Sequence, residues 1–415
     1  MASEVPIVDG KRVYKLVAQT QEEEDSYNTV EHRKNVKFVG LFGSIAHIVK
    51  GALAGGILSG HVAYMKAGWL VSICLNMFFG VYMAYCLHLL VQSAQILYKR
   101  TRIPTMSYPD VGECAMACFP NPKVSRFAKF ARYLLDTVIC IDLFGSCATY
   151  QLIIAKSIKQ LVENTQEISL EGKPVCCIIM AVYYAFQYNP KFENMVTHKS
   201  LYNTFIFIGM NVFSMSCSGI VVAIETNMRE PKKFPIAIGV GMSLVILCTF
   251  SASFFGYVGF LEKCEPPITV NYPMDLLPKV VKGLIALMIY ISHALNFWVP
   301  FNLCYYYIRK RHKDNLFWEI FYRTIFVLLI SSVALIFPNI NALMGFIGSF
   351  CLTNMAFIWP NVITLLVIWK RPGLGKYKWR LWRSLIFIVI GLFVFGCGTL
   401  VNCMEMVKVF KTLFN

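Results

Sequence analysis

Ten apolar stretches decide what this chain can fold into: 42–65, 68–97, 131–161, 174–188, 201–224, 235–260, 280–308, 320–337, 341–369 and 383–410. A helix rises about 1.5 Å per residue, so roughly 20 apolar residues cross a hydrocarbon core of about 30 Å. Only 15% of the 415 residues are charged, against roughly 25% in soluble domains, and the mean hydropathy is +0.56. Lipid offers no partner for a free backbone N–H or C=O, so each stretch must bond internally as a helix. The expectation is an all-α polytopic membrane protein of about ten apolar helices.

The net charge of +16 would suggest nucleic acid in a soluble chain. Here the basic residues sit in short loops, the pattern of cytosolic segments, and no nucleic-acid partner is expected. The loop 98–130 (Lys99, Arg100, Arg102, Lys123, Arg126, Lys129), the run ETNMREPKKFP at 225–235, RKRHKDN at 309–315 and residues 370–383 read as inside. Residues 162–173 and 263–279 read as outside. Residues 1–37 are polar, with an acidic cluster at Glu22–Asp25 and a basic end at Arg33, Lys34 and Lys37; they are expected to be a disordered cytosolic tail, and 38–411 the membrane domain. One conflict follows. Residues 162–173 and the start of 201–224 both belong outside, so an even number of crossings should separate them. Only the short run 174–188 lies between, so either it does not span or a helix is missing.

Within the first stretch, HIVKGALAGGILSGH (47–61) carries Gly51, Gly55, Gly56 and Gly60 with two histidines and a lysine. Each glycine costs about 1 kcal/mol relative to alanine inside a helix. A glycine-broken membrane helix must face protein or a water-filled cavity, and it is the sequence pointer to a transporter binding site. Most of the 15 cysteines lie in apolar segments and act as small hydrophobes. Cys176, Cys177 and Cys264 read as outside, and whether they pair is left open by spacing alone. No G-x-S-x-G, Walker loop or H-E-x-x-H is present, so no enzyme activity, cofactor or metal site is expected.

Five pieces in order carry a resemblance: HIVKGALAGGIL (47–58), FGSCATY (144–150), ETNMREPKKFP (225–235), FGYVGF with ITVNYP (255–260, 268–273) and FPNINALMGFIGS (337–349). Over about 38–410 the chain resembles the amino acid/auxin permeases, on their proton-coupled amino acid transporter branch. The resemblance implies an eleven-helix, inverted-repeat transporter bundle with its first and sixth helices broken around the substrate. It also implies proton-coupled movement of small neutral amino acids at the plasma membrane or on endolysosomes. Against that pattern one helix is absent between Glu163 and Pro174. Ser59, Gly60 and His61 stand where the family reads glycine-leucine-proline. Ser216 and Cys217 stand where it reads glutamate-glycine.

The resemblance assigns His47 to proton coupling, and a free imidazole titrates in the physiological range. Gly51, Ala54, Gly55 and Gly56 would form an unwound segment whose amides suit a carboxylate; small-residue helix packing is the alternative. Ser214, Ser216, Cys217, Ser218 and Gly219 form a second candidate break, lining a substrate path or serving helix packing. Asp142, ten residues into its segment, is a proton site in place of the missing glutamate, a partner of His293 or His47, or a protonated structural acid. Asn296 lines the cavity in this reading. Trp69, Trp318, Trp359, Trp379 and Trp382 read as interface anchors. Pro231 with Lys232–Lys233 would shape a cytosolic gate loop. The competing function is a transport-deficient relative that senses amino acids or regulates partners, or a truncated isoform of a transporter.

Overall fold

The computed structural model describes residues 7–8, 11–33, 37–53, 55–163, 195–272, 276–309 and 316–414. Among the described residues, seven helical spans are long and apolar enough to cross a membrane: Trp69–Thr101, Ala128–Glu163, Pro231–Lys263, Pro278–Ile308, Leu316–Ile336, Ile340–Ile368 and Lys376–Lys411. The bent pair Leu41–Ala52 and Gly55–Ala67 makes an eighth. The run 174–188, Cys176 and Cys177 lie outside the described residues. A two-residue hairpin, β1 (Ile7–Val8) with β2 (Lys11–Arg12), and the short helix α1 (Gln21–Asp25) precede the bundle.

The first membrane helix is not continuous. Helix α2 (Leu41–Ala52) ends before Leu53, a 3-10 turn covers Gly55–Ser59, and α3 (Gly60–Ala67) resumes at 44° to α2. The break falls where glycine makes a regular helix costly. Gly68, at φ 97°, turns the chain straight into α4 (Trp69–Thr101). The proline-punctuated loop 98–130 then holds two helices, α5 (Tyr108–Ala117) and α6 (Pro122–Arg126). Ser107 and Asp110 cap α5 reciprocally, satisfying two otherwise orphaned amides. Helix α7 (Ala128–Glu163) follows.

Beyond residue 194 the second break appears. Helix α8 (Leu201–Met215) stops at Ser216, whose backbone is extended, and α9 (Val221–Thr226) resumes after one turn. The two broken helices run in opposite directions and touch at their breaks. A Cβ on Gly56 would stand 2.5 Å from the Ser214 Cα, so only glycine permits this approach. Helices α10 (Phe234–Phe260), α11 (Leu276–Arg309) and α12 (Leu316–Ile336) come next. Helix α13 (Ile340–Ile347) widens into π-helical turns at Gly348–Leu352 and Asn354–Ile358 before α14 (Trp359–Ile368). There Thr353 Oγ1 donates to the Gly348 carbonyl five residues back, at 3.0 Å, which satisfies a carbonyl that the wider turn frees. Helix α15 (Trp379–Phe414) closes the bundle.

Contacts assign the two faces. The Trp69 and Lys199 amides donate to the Val196 and Ala67 carbonyls. Lys199 pairs with Glu262 at 2.7 Å, and Gln160 donates to the Val270 carbonyl at 3.4 Å. The end of α7, the start of α8 and the loop 261–272 therefore share one face. That is the face the charge pattern assigns to the outside, so the flanks of 164–194 lie on the same side.

On the opposite face the polar tail departs from its expected disorder over residues 13–33. The Val17 and Ala18 amides donate to the Arg100 carbonyl, Glu24 pairs with Arg100 at 3.0 Å, and Arg33 is buried. The tail's low hydrophobicity is offset by ion pairs with the basic face. One further local expectation changes. Trp359 is buried in the core rather than at an interface, whereas Trp379 and Trp382 are exposed. Cys264 is buried, with its thiol facing the Gly256 carbonyl.

Candidate functional site

The chemistry-bearing residues converge on one cavity of about 400 Å³ between the two broken helices, α7 and α11. The first broken helix supplies His47, Lys50, Gly51 and Gly56 to its wall. The second supplies Phe213 and the run Ser216–Ile220, followed by Ala223, Ile224 and Asn227. Helix α7 presents Asp142, Ser146 and Tyr150, and α11 presents Ser292, Leu295 and Asn296. Positions 142, 146 and 150 repeat every four residues and so share one helix face.

Of the residues singled out in the sequence, His47, Gly51, Gly56, Asp142, Ser216, Cys217, Ser218, Gly219 and Asn296 line this cavity. Gly55 is buried one layer behind, where the Tyr150 ring leaves no room for a Cβ, and Ser214 backs Gly56 while its hydroxyl donates to the Met210 carbonyl at 2.9 Å. Ala54 lies outside the described residues. Ser44, Lys50, Ser146 and Tyr150 were not singled out; for Ser146 and Tyr150 the four-residue spacing from Asp142 was the available signal. Asn296 Nδ2 donates to the Tyr150 hydroxyl at 3.4 Å, linking α11 to α7 across the cavity.

Asp142 is 8% exposed and has no hydrogen-bond or ion-pair partner among the described residues. The expected alternatives of a bond to His293 or His47 are not made. His293 instead meets Gln151 through Nε2 at 3.4 Å and accepts from Cys147 at its carbonyl. The cavity thus holds one carboxylate together with the basic groups of Lys50 and His47. A zwitterion carries complementary charges.

The cavity is closed on the outer side. Gly60 packs on Ser253, and a Cβ on Gly256 would meet His61 at 2.8 Å. His61 is fully buried, its Nε2 3.0 Å from the Glu265 carbonyl and 3.1 Å from the Asn271 amide nitrogen. Asn271 donates to the same carbonyl at 2.9 Å. Lys156 donates to the Pro266 carbonyl at 3.0 Å, and buried Lys282 bonds Gln160 and the Tyr272 carbonyl. Loop 264–272 therefore clamps α3 to α7 above the cavity. On the inner side the lining reaches Val39 and Asn227, which form a backbone bridge at the face carrying the tail. Among the described residues no group of acidic, histidine or cysteine side chains is arranged to hold a metal ion.

Comparison with known proteins identifies the family. Residues 40–195 and 175–403 match the family described as "Transmembrane amino acid transporter protein". The chain is 27% identical to the proton-coupled amino acid transporter-like protein pathetic of Drosophila melanogaster, over 89% of this chain and 85% of that protein. It is 21% identical to the amino acid transporter AVT3C of Arabidopsis thaliana, over 89% of this chain and 91% of that protein. The chain is an integral multi-pass membrane protein and belongs to the transmembrane amino acid transporter family.

Proposed function

We propose that this chain is a secondary transporter that moves small neutral amino acids by alternating access, coupled to protons, at the plasma membrane or an endolysosomal membrane. The observation that carries the reading is the cavity between two broken helices, shut outside by loop 264–272 and reaching the inner face. The geometry corresponds to an inward-open state. Gly55 and Gly56 lie where the first helix is interrupted, and half-helix ends leave N–H groups that suit the substrate carboxylate, while Gly51 in the last turn of α2 contributes to the cavity wall. Ser216, Cys217, Ser218 and Gly219 form the opposing wall with Ser214 behind it, and Asn296 with Tyr150 closes the third side. His47 and Asp142 are the proton carriers: both line the cavity, and an ionisable group within a membrane segment is a functional group by default.

The test is uptake of labelled alanine, proline and glycine by cells expressing the chain at about pH 5.5 and about pH 7.4, on either side of the free histidine pKa. Uptake faster at the lower pH is the expected result. No uptake at either pH, with expression in the membrane confirmed, would sink the transporter reading.

A second reading, a transport-deficient relative that senses amino acids, is favoured by Ser216 standing where the resembling family carries an acid. Ligand-induced thermal stabilisation of the purified chain without any flux would select it.

A further inference from the structure

Arg33 is the deepest reach of the tail into the bundle. Its side chain is 0% exposed and that of its partner Glu225 is 1% exposed. Nη2 meets both carboxylate oxygens of Glu225 at 3.2 Å. Nη1 donates to the Glu225 and Thr226 carbonyls at 3.3 and 2.9 Å, so Arg33 also caps the C-terminus of α9. Nε donates to the Pro104 carbonyl at 3.2 Å, on the loop between α4 and α5. Gln95 of α4 adds a bond to Glu225 at 3.1 Å.

The face of α9 that Arg33 holds is the informative point. Ile220, Ala223, Ile224 and Asn227 line the cavity, and their spacing places them on one side of the helix. Glu225 is about 100° round from Ile224 and points to the opposite side. Arg33 and Gln95 thus hold α9 from behind, away from the cavity. The α2 and α9 half-helices are themselves joined, since Val39 donates to the Asn227 carbonyl at 2.8 Å and Arg229 to the Val39 carbonyl at 3.0 Å. In the alternating-access reading, closing the inner side moves this joined pair toward Asp142 and Ser146 on α7, across the cavity they line.

The geometry points to Arg33 as a positioning residue for transport: the N-terminal tail is a tether that holds the inner half of the second broken helix back and keeps the cavity open to the cytosol. This rests on the alternating-access reading but is tested separately from it. Restraint on α9 passes through Pro104 and Gln95 to α4 and the α4–α5 loop. The other end of the strap is fixed as well, with Glu24 on Arg100 and the Tyr14 hydroxyl donating to Glu113 at 3.0 Å.

The experiment places a cysteine at the cavity face of α9, Ala223→Cys, in the full chain reconstituted in liposomes. A hydrophilic maleimide is applied from the tail side, and its rate of addition is read at that position by mass spectrometry. The comparison is with the same chain carrying Arg33→Met and Glu225→Met together, which removes the tether without leaving a buried unpaired charge. Gln95→Leu, which keeps the ion pair and loses one bond to α9, is the milder second variant. Labelling slowed about threefold or more in the double variant, with a smaller slowing in Gln95→Leu, is the expected result. A pair that merely stabilised α9 would give faster labelling once lost, and unchanged or faster labelling overturns the tether. If the double variant fails to insert, Gln95→Leu alone decides. Absent uptake by the unaltered chain would count against the transport reading only, because the labelling rate does not depend on flux.

Discussion

At the scale of single residues, the site depends on atoms that are missing as much as on atoms present. Gly56 lets the two broken helices touch, and any Cβ there would overlap the Ser214 backbone. Gly56→Val is expected to abolish most uptake and to destabilise the fold by about 1–3 kcal/mol through overpacking, read as uptake together with the thermal melt of the purified chain. Asp142→Asn keeps the shape and removes the titrating group, so its expected effect is uptake that no longer responds to pH; an unchanged pH profile would leave Asp142 a structural acid. Outside the membrane-spanning helices, burial and then the charges of Asp110 and Glu113 raise the Tyr14 hydroxyl well above its usual range, so it stays a donor to those carboxylates. Arg132 joins the same cluster, bonding Asp110 and lying 3.2 Å from Glu113 and 3.5 Å from Asp136. Arg132→Met takes one cation from three buried carboxylates and is expected to cost about 3–5 kcal/mol, visible as a lowered melting temperature or loss of monodisperse protein.

At the scale of elements, the two broken helices and the loop above them enclose one cavity. Each break is local: glycine removes helix propensity at 55–56, and the small residues of SMSCSG do so at 214–219. The closure is not local, because His61 on α3 is held by Glu265 and Asn271, more than 200 residues away in sequence. His61→Ala removes the ring that loop 264–272 grips. The expected outcome is faster labelling of a cysteine at Ser253 by an impermeant reagent applied from outside; an unchanged rate would mean that the Lys156 and Lys282 bonds suffice to hold the loop. The two breaks were legible in the sequence because glycine and hydroxyl residues are costly in an apolar helix. The grip on His61 was not, since it needs the loop folded back over α3.

At the scale of the whole molecule, apolar length was enough to foresee an all-α membrane bundle and its spans among the described residues, and the sign of the loops assigned its two faces. Lipid leaves the backbone no other choice, and charge orients the segments. The same reasoning required both flanks of 164–194 to lie on one side, and the contacts of Gln160, Val196 and Lys199 place them on one face of the bundle. Composition misread the tail, because residues 13–33 find their partners on the bundle's basic face, beyond the reach of any local window.

What the sequence determined by itself was therefore what depends on one segment meeting lipid or water: the apolar helices and their breaks, with Asp142 and His47 placed within apolar segments. What only the tertiary structure decided was what faces what. It brought Asp142, Ser146 and Tyr150 opposite Gly56 and Ser216, left Asp142 without a partner among the described residues, closed the outer side through His61 and laid Arg33 behind α9. The physical reason is range. Propensity and hydropathy act within a few turns, while a cavity and its gates are set by contacts between helices far apart in the chain.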